Sequence, residues 1–315
     1  MVGNAAGGHG CWVRVTPLKR LLYTVMLRKL GLPGNSLEQP NFDELYRNRL
    51  LECIRDSELD AVCLLAQEAV YDDSGQVREN VGNAFVPNDY VFELARDNPE
   101  FLPTVSIHPA RPDALDELDR CLEAGAVMMK CLPNCQNINC SNPSFKPFWS
   151  RMAEAGLPLL AHTGGEHTLE VVNAEYANPE VLRLPLECGV NVIAAHSATC
   201  SGLVDPNYFP IMRQMMREHE NLFADTSAMN SPRRSFAFRD CLEDEHLASR
   251  LVHGSDYPVP TTAFWAWLRG LICTDQWDAL RKIKNPIEAD YQTKVAMGFP
   301  LDHFTRINSL LRKTS

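Results

Sequence analysis

Seven short, almost wholly apolar runs separated by amphipathic stretches constrain this chain more than any other feature. The runs are Asp60 to Ala66, Phe101 to Ile107, Ala126 to Lys130, Leu157 to His162, Asn191 to His196, Asn221 to Asp225 and Leu251 to His253. Most lack the polar–apolar alternation of a sheet with one wet face, so they read as strands buried on both sides. Between them lie helical patterns: Asp113 to Glu123, with Leu115, Leu118 and Leu122 on one face, then Pro143 to Ala155, Asn178 to Cys188, Pro210 to Glu220 and Arg234 to Arg250. Strand and helix in alternation predict an α/β protein with parallel strands joined by right-handed crossovers.

A closed barrel of this kind needs eight strands, and the runs supply seven. Ahead of the first stand a glycine-rich loop (Met1 to Gly10), a basic segment (Pro17 to Leu30) and a helix around Phe42 to Asp56. Cys11 to Val15 is a weak strand candidate. The expected fold is therefore a (β/α)8, TIM-like barrel whose first strand is missing or atypical. It is read as one domain over residues 1–315, with residues 1–57 as an atypical helical N-terminal segment. No Gly-x-Gly-x-x-Gly follows any strand, so a dinucleotide sheet is unsupported, and the absence of a phosphate loop or Gly-x-Ser-x-Gly elbow argues against an ATPase and a serine hydrolase.

Charge narrows the partners. Lys and Arg number 30 against 40 Asp and Glu, a net charge of -10, which disfavours nucleic acid and anionic lipid. No apolar run approaches the roughly 20 residues of a membrane helix, and the N-terminus lacks the apolar core of a signal peptide. The 11 cysteines are odd in number and scattered, as expected of reduced thiols in a cytoplasmic protein. Cys131, Cys135 and Cys140 read as free thiols in a Pro/Asn-rich surface loop. The expected partners are a small-molecule substrate and, as an open option, a second copy of the chain, with no nucleic acid and no membrane.

Polar residues close the strands in a repeated way. Lys130 ends one, His162 another before Thr-Gly-Gly, His196 a third before Ser-Ala, Asp225 a fourth, and Asp256 lies in Gly-Ser-Asp-Tyr-Pro. Barrel strands converge at their C-terminal ends, so these side chains would meet at one mouth. Two imidazoles, a carboxylate and an amine there suit a divalent cation bound through nitrogen and oxygen, with a carboxylate to take a proton from bound water. Each also has a structural reading, as a turn cap or hydrogen-bonded core residue, and Asp225 reads as a cap. His108, before Pro109, and Glu166, after the glycine pair, could line the mouth and contact substrate.

In order and spacing, Ala126 to Pro133 with Lys130, Leu159-Leu-Ala-His162-Thr-Gly-Gly, Ile193-Ala-Ala-His196 and His253-Gly-Ser-Asp256-Tyr-Pro258 resemble the amidohydrolase superfamily, in its amidohydrolase-related (type 2) branch. The resemblance runs from about residue 58 to the C-terminus. It implies a (β/α)8 barrel and a metal-dependent hydrolase of an amide, ester or lactone, using zinc or manganese. His162 would then match the fifth-strand metal ligand and His196 the sixth-strand histidine, which binds metal or polarises substrate. Asp256 would match the eighth-strand aspartate that binds metal and shuttles a proton, and Lys130 a bridging lysine. A decarboxylase of the same superfamily is the alternative, favoured if Arg111, Arg233 or Arg234 reaches the mouth, and a catalytically impaired barrel is another. The family's first-strand His-x-His is absent; His9 has neither its spacing nor a strand. An internal start at Met1, with the strand upstream, is preferred to its loss. Metal binding by the chain as given is expected to be weak.

Overall fold

The computed structural model describes residues 7–313, so Met1 to Ala6 of the glycine-rich start lie outside it. The strands in chain order are β1 (Trp12–Val13), β2 (Val62–Leu65), β3 (Ala84–Phe85), β4 (Phe101–Val105), β5 (Met128–Cys131), β6 (Leu159–His162), β7 (Val192–Ala195), β8 (Leu222–Asp225) and β9 (Leu251–Val252). Seven of them form one parallel sheet in the order β2-β4-β5-β6-β7-β8-β9. Each matches one of the apolar runs, and the sheet curls as a TIM-type barrel does.

The Cys11 to Val15 candidate forms no barrel strand. Its β1 pairs antiparallel with β3, outside the parallel sheet, and Arg14 N–H donates to Asn83 C=O at 2.8 Å. Among the described residues β2 and β9 are therefore not neighbours. The free edge of β9 is satisfied instead by the C-terminal helices: His253 N–H donates to His303 C=O at 2.9 Å, and Leu251 C=O accepts from His303 Nδ1 at 3.3 Å and from Arg306. Such capping blunts an edge that would otherwise template pairing.

Two helices precede β2. In α1 (Pro17–Lys29), Thr16 caps the N-terminus, Pro17 presets the first turn and Arg28 with Lys29 complement the dipole at the far end. In α2 (Phe42–Arg55), Asp43 and Glu44 take the corresponding acidic place, and Phe42, Tyr46, Leu50 and Ile54 are buried. Asn285 donates to Cys53 C=O and Asp56 C=O at 2.7 and 3.0 Å, tying the end of α2 to the helix Pro286–Ala296. Met128, Ile193 and Val252 pack with Leu310 in a buried cluster, apart from the cavity at the polar strand ends.

Two local expectations change. On the helix Ala114–Glu123 the buried set is Ala114, Leu118, Cys121 and Leu122, while Leu115 is exposed, because the inward stripe is centred one position away. Cys131, Cys135 and Cys140 are all buried rather than on a surface loop. Gln136 folds that segment inward, accepting from Leu132 N–H at 2.6 Å and donating to Glu68 C=O and Ser106 Oγ, each at 3.2 Å.

Candidate active site

The polar ends of the strands meet in a cavity of about 170 Å³. One end is polar, built from Lys130, His162, Glu166, His196 and Asp256. The other is apolar, with Tyr23, Met26, Leu27 and Leu30 of α1 set beside Phe42 and Tyr46 of α2. The N-terminal helices that looked peripheral in the sequence thus close the mouth.

His162 ends β6 and is buried. Its Nδ1 lies 3.7 Å from Glu166 Oε2, and Glu166 is fixed by accepting the backbone N–H groups of Leu169, at 2.8 Å, and Thr168. Burial works to raise the Glu166 carboxyl, but His162 and those two N–H groups prevail and hold it below its ordinary value. Burial pushes the His162 imidazole down to about 4, so the ring is neutral near pH 7. Its Nε2 is buried with no hydrogen-bond partner.

His196 follows β7, its ring centroid 5.0 Å from that of His162. Burial and the Arg234 guanidinium keep it neutral, well below its ordinary value. Nδ1 is engaged by Ser227 Oγ at 2.8 Å, which turns Nε2 toward the cavity. His196, Ser197 and Ala198 all have positive φ, at 60, 50 and 52°, a costly run for non-glycine residues. Asp225 holds it: its Oδ1 accepts from His196 N–H at 2.7 Å, Ser227 N–H at 3.0 Å and Ser227 Oγ at 2.5 Å. The capping role expected of Asp225 is thus a positioning role toward His196. Gly164, at φ 78°, lets the turn after His162 pack on the one after His196, since a Cβ there would sit 2.3 Å from Thr199 O.

Asp256 lies beyond β9, also at positive φ, 58°. Burial raises its carboxyl to about 7, against the pull of Lys130. Its turn is anchored from behind. Lys294 Nζ donates to Gly254 C=O at 2.8 Å and pairs with Asp290 Oδ2 at 2.6 Å, and both side chains are almost wholly buried. Replacing Lys294 with Met strands a buried carboxylate. The expected loss is about 3–5 kcal/mol of unfolding free energy in a urea titration; a loss below about 1 kcal/mol would show that Asp290 is relieved elsewhere.

Other expected site residues fall away from the cavity. His108 is buried with both ring nitrogens engaged, Nε2 by Gln136 C=O at 3.0 Å and Nδ1 by Ala110 N–H at 3.1 Å, a structural task. Arg111 pairs with Glu68 and Asp113 at 2.7 and 2.8 Å. Arg234 is buried behind the site, donating to Thr199 C=O at 2.9 Å and Gly165 C=O at 2.8 Å, and Arg233 reaches over Phe236. None of these three arginines lines the cavity.

A family model described as amidohydrolase matches residues 54–280. The chain belongs to this amidohydrolase family. Among solved structures, an uncharacterized TIM-barrel protein of Bordetella bronchiseptica is 18% identical, covering 88% of this chain and 92% of its own, at a TM-score of 0.59. A probable 2-pyrone-4,6-dicarboxylic acid hydrolase from Acinetobacter baumannii, with citric acid bound, is 13% identical over 80% of this chain and 89% of its own, at 0.50. The 5-carboxyvanillate decarboxylase of Sphingomonas paucimobilis is 14% identical over 81% and 82%, at 0.49. No curated protein matches the chain. The two likenesses at 0.50 and above carry the barrel fold.

The donors of this amidohydrolase cavity suit a divalent cation in kind. Two neutral imidazoles present Nε2 atoms, and that of His162 is buried and unpartnered, the position in which a ligand histidine is held when its other nitrogen faces a carboxylate. In number the set is lean: among the described residues no three His, Cys, Asp or Glu side chains converge as a metal cluster. Asp256 and Lys130 share the cavity without completing such a group. Among the described residues no helix is long and apolar enough to cross a membrane.

Proposed function

We propose that the cavity is the active site of a metal-dependent hydrolase that cleaves an amide, ester or lactone bond of a small organic substrate. The observation that carries this reading is the partnerless Nε2 of His162, buried beside His196 in the cavity that also holds Asp256 and Lys130. His162 and His196 would hold the cation, zinc or manganese, with Asp256 beside them. When bound, such an ion supplies Lewis acidity and lowers the pKa of water. Asp256, with its raised proton affinity, takes the proton from the attacking water and returns it to the leaving group. The Lys130 ammonium, buried at 7% exposure, faces the negative charge that develops on the substrate oxygen. Glu166 and Asp225 orient the two imidazoles, and the apolar end under α1 binds the body of the substrate and excludes water.

The decarboxylase reading would be favoured by an arginine that pairs with a substrate carboxylate, and Arg111, Arg233 and Arg234 do not line the cavity. Hydrolysis is therefore the better reading. It is tested by assaying a panel of lactones, aryl esters and amides with zinc or manganese, then after chelation. Metal content is measured for the chain and for His162→Ala. Hydrolysis lost on chelation, with metal content lowered in His162→Ala, is the expected result. Undiminished hydrolysis by the chelated His162→Ala variant would remove metal from the chemistry, and decarboxylation of aromatic acids without hydrolysis would favour the lyase.

A further inference from the structure

Helix α1 is apolar on two sides. Tyr23, Met26, Leu27 and Leu30 face inward as the cavity's apolar end, yet Leu21, Leu22 and Val25 on the outer side are exposed, Leu21 at 72%. A surface helix ordinarily turns polar side chains to water. A second exposed apolar feature lies in the loop after β7, where Leu203 and Val204 stand at 83% and 92% exposure. The two are linked through the segment after β6. Lys19 donates to Thr168 C=O and Leu169 C=O at 3.0 and 2.7 Å, while the neighbouring His167 holds Asp205 at 2.9 Å. With Val171 of that same segment, these side chains make up half of the large apolar residues exposed among the described residues. An apolar concentration of this kind marks an interaction surface.

Its charge names the occupant. The chain as a whole is acidic at -10, but α1 contains Lys19, Arg20, Arg28 and Lys29 and no acid. Arg20 pairs with Glu38, and Arg28 and Lys29 stand exposed at the helix end. Glu170 is the exposed acid of the linking segment, and Asp205 is paired with His167. A second copy of the chain fits poorly. Two-fold pairing through α1 would set cations against cations. Protruding leucines and valines flanked by Lys and Arg suit the boundary between headgroups and acyl chains. We infer that α1 and the Leu203–Val204 loop dock the chain on an anionic lipid bilayer, with the cavity mouth beneath that contact.

This inference stands apart from the hydrolase reading, because its test needs no turnover. The full chain is sedimented with vesicles of phosphatidylcholine, with and without phosphatidylserine, at low and raised salt. The wild type is expected to pellet with the serine-containing vesicles and to be released by salt. Combined Leu21→Glu and Val204→Glu substitutions, both on exposed positions, should weaken binding by at least about tenfold, as should Arg20→Gln with Arg28→Gln and Lys29→Gln. Circular dichroism confirms that the variants fold. Failure of the wild type to pellet, equal pelleting without phosphatidylserine, or unchanged binding by the Leu21→Glu/Val204→Glu variant would overturn the proposal. So would a wild-type dimer that the same variant converts to monomer without any lipid binding, which would assign the face to a second copy.

Discussion

Asp256→Asn is expected to lower kcat for the hydrolysed substrate about a thousandfold while leaving the fold intact, the range that loss of a positioned proton acceptor costs. The side chains are nearly isosteric, so the cavity keeps its shape. Asparagine also tolerates the left-handed backbone that position 256 requires, at φ 58°. What disappears is a carboxylate whose burial gives it a proton affinity near 7, replaced by an amide that takes no proton at that pH. Matching circular dichroism and thermal midpoints with a collapsed kcat is the expected pair of readings. A variant within about tenfold of wild type would remove Asp256 from proton transfer, since even a modest general base contributes more than that.

The second large effect is on stability in mild acid. His303 and His108 are buried, with imidazoles pushed down to about 3 and about 4 by desolvation, helped at His303 by Lys294 and at His108 by Arg111. In the unfolded chain each titrates near 6.5. As pH falls below that value the unfolded state binds protons that the folded state refuses, so stability is complete above about pH 6.5 and drains away toward the folded values. At pH 5 each histidine has withdrawn about 2 kcal/mol, before ordinary carboxylates protonate appreciably. Urea unfolding at pH 7 and pH 5 should therefore differ by about 4 kcal/mol from these two groups alone. In His303→Gln the difference should shrink by about 2 kcal/mol, because glutamine can still meet Thr226 but has nothing to titrate. An unchanged difference would mean that other groups carry the acid sensitivity.

The order of the fold was legible from local pattern. A strand buried on both faces must be apolar along its length, so β2 and β4 through β9 show as seven runs. The polar residue that ends a run is conspicuous for the same reason, which is how Lys130, His162, His196 and Asp256 came to be singled out. Signals that depend on a distant partner were not legible. The role of Asp225 toward His196 is set by a turn of three positive-φ residues that nothing in His-Ser-Ala announces. Arg234 looked like a loop residue at the mouth, and only its bonds to Thr199 and Gly165 show it buried behind the site. His108 resembled the other strand-end histidines, and its two backbone partners became visible only in three dimensions.

By itself, then, the sequence determined a parallel α/β sheet and which polar side chains stand at its strand ends, because alternation and burial are written residue by residue. Tertiary structure alone decided that α1 and α2 close the mouth, that β1 leaves the barrel to pair with β3, and that His162 keeps a bare nitrogen beside His196. Those outcomes arise from contacts between segments far apart in the chain, where the energy of packing and desolvation belongs to the assembled site and to no single stretch of residues.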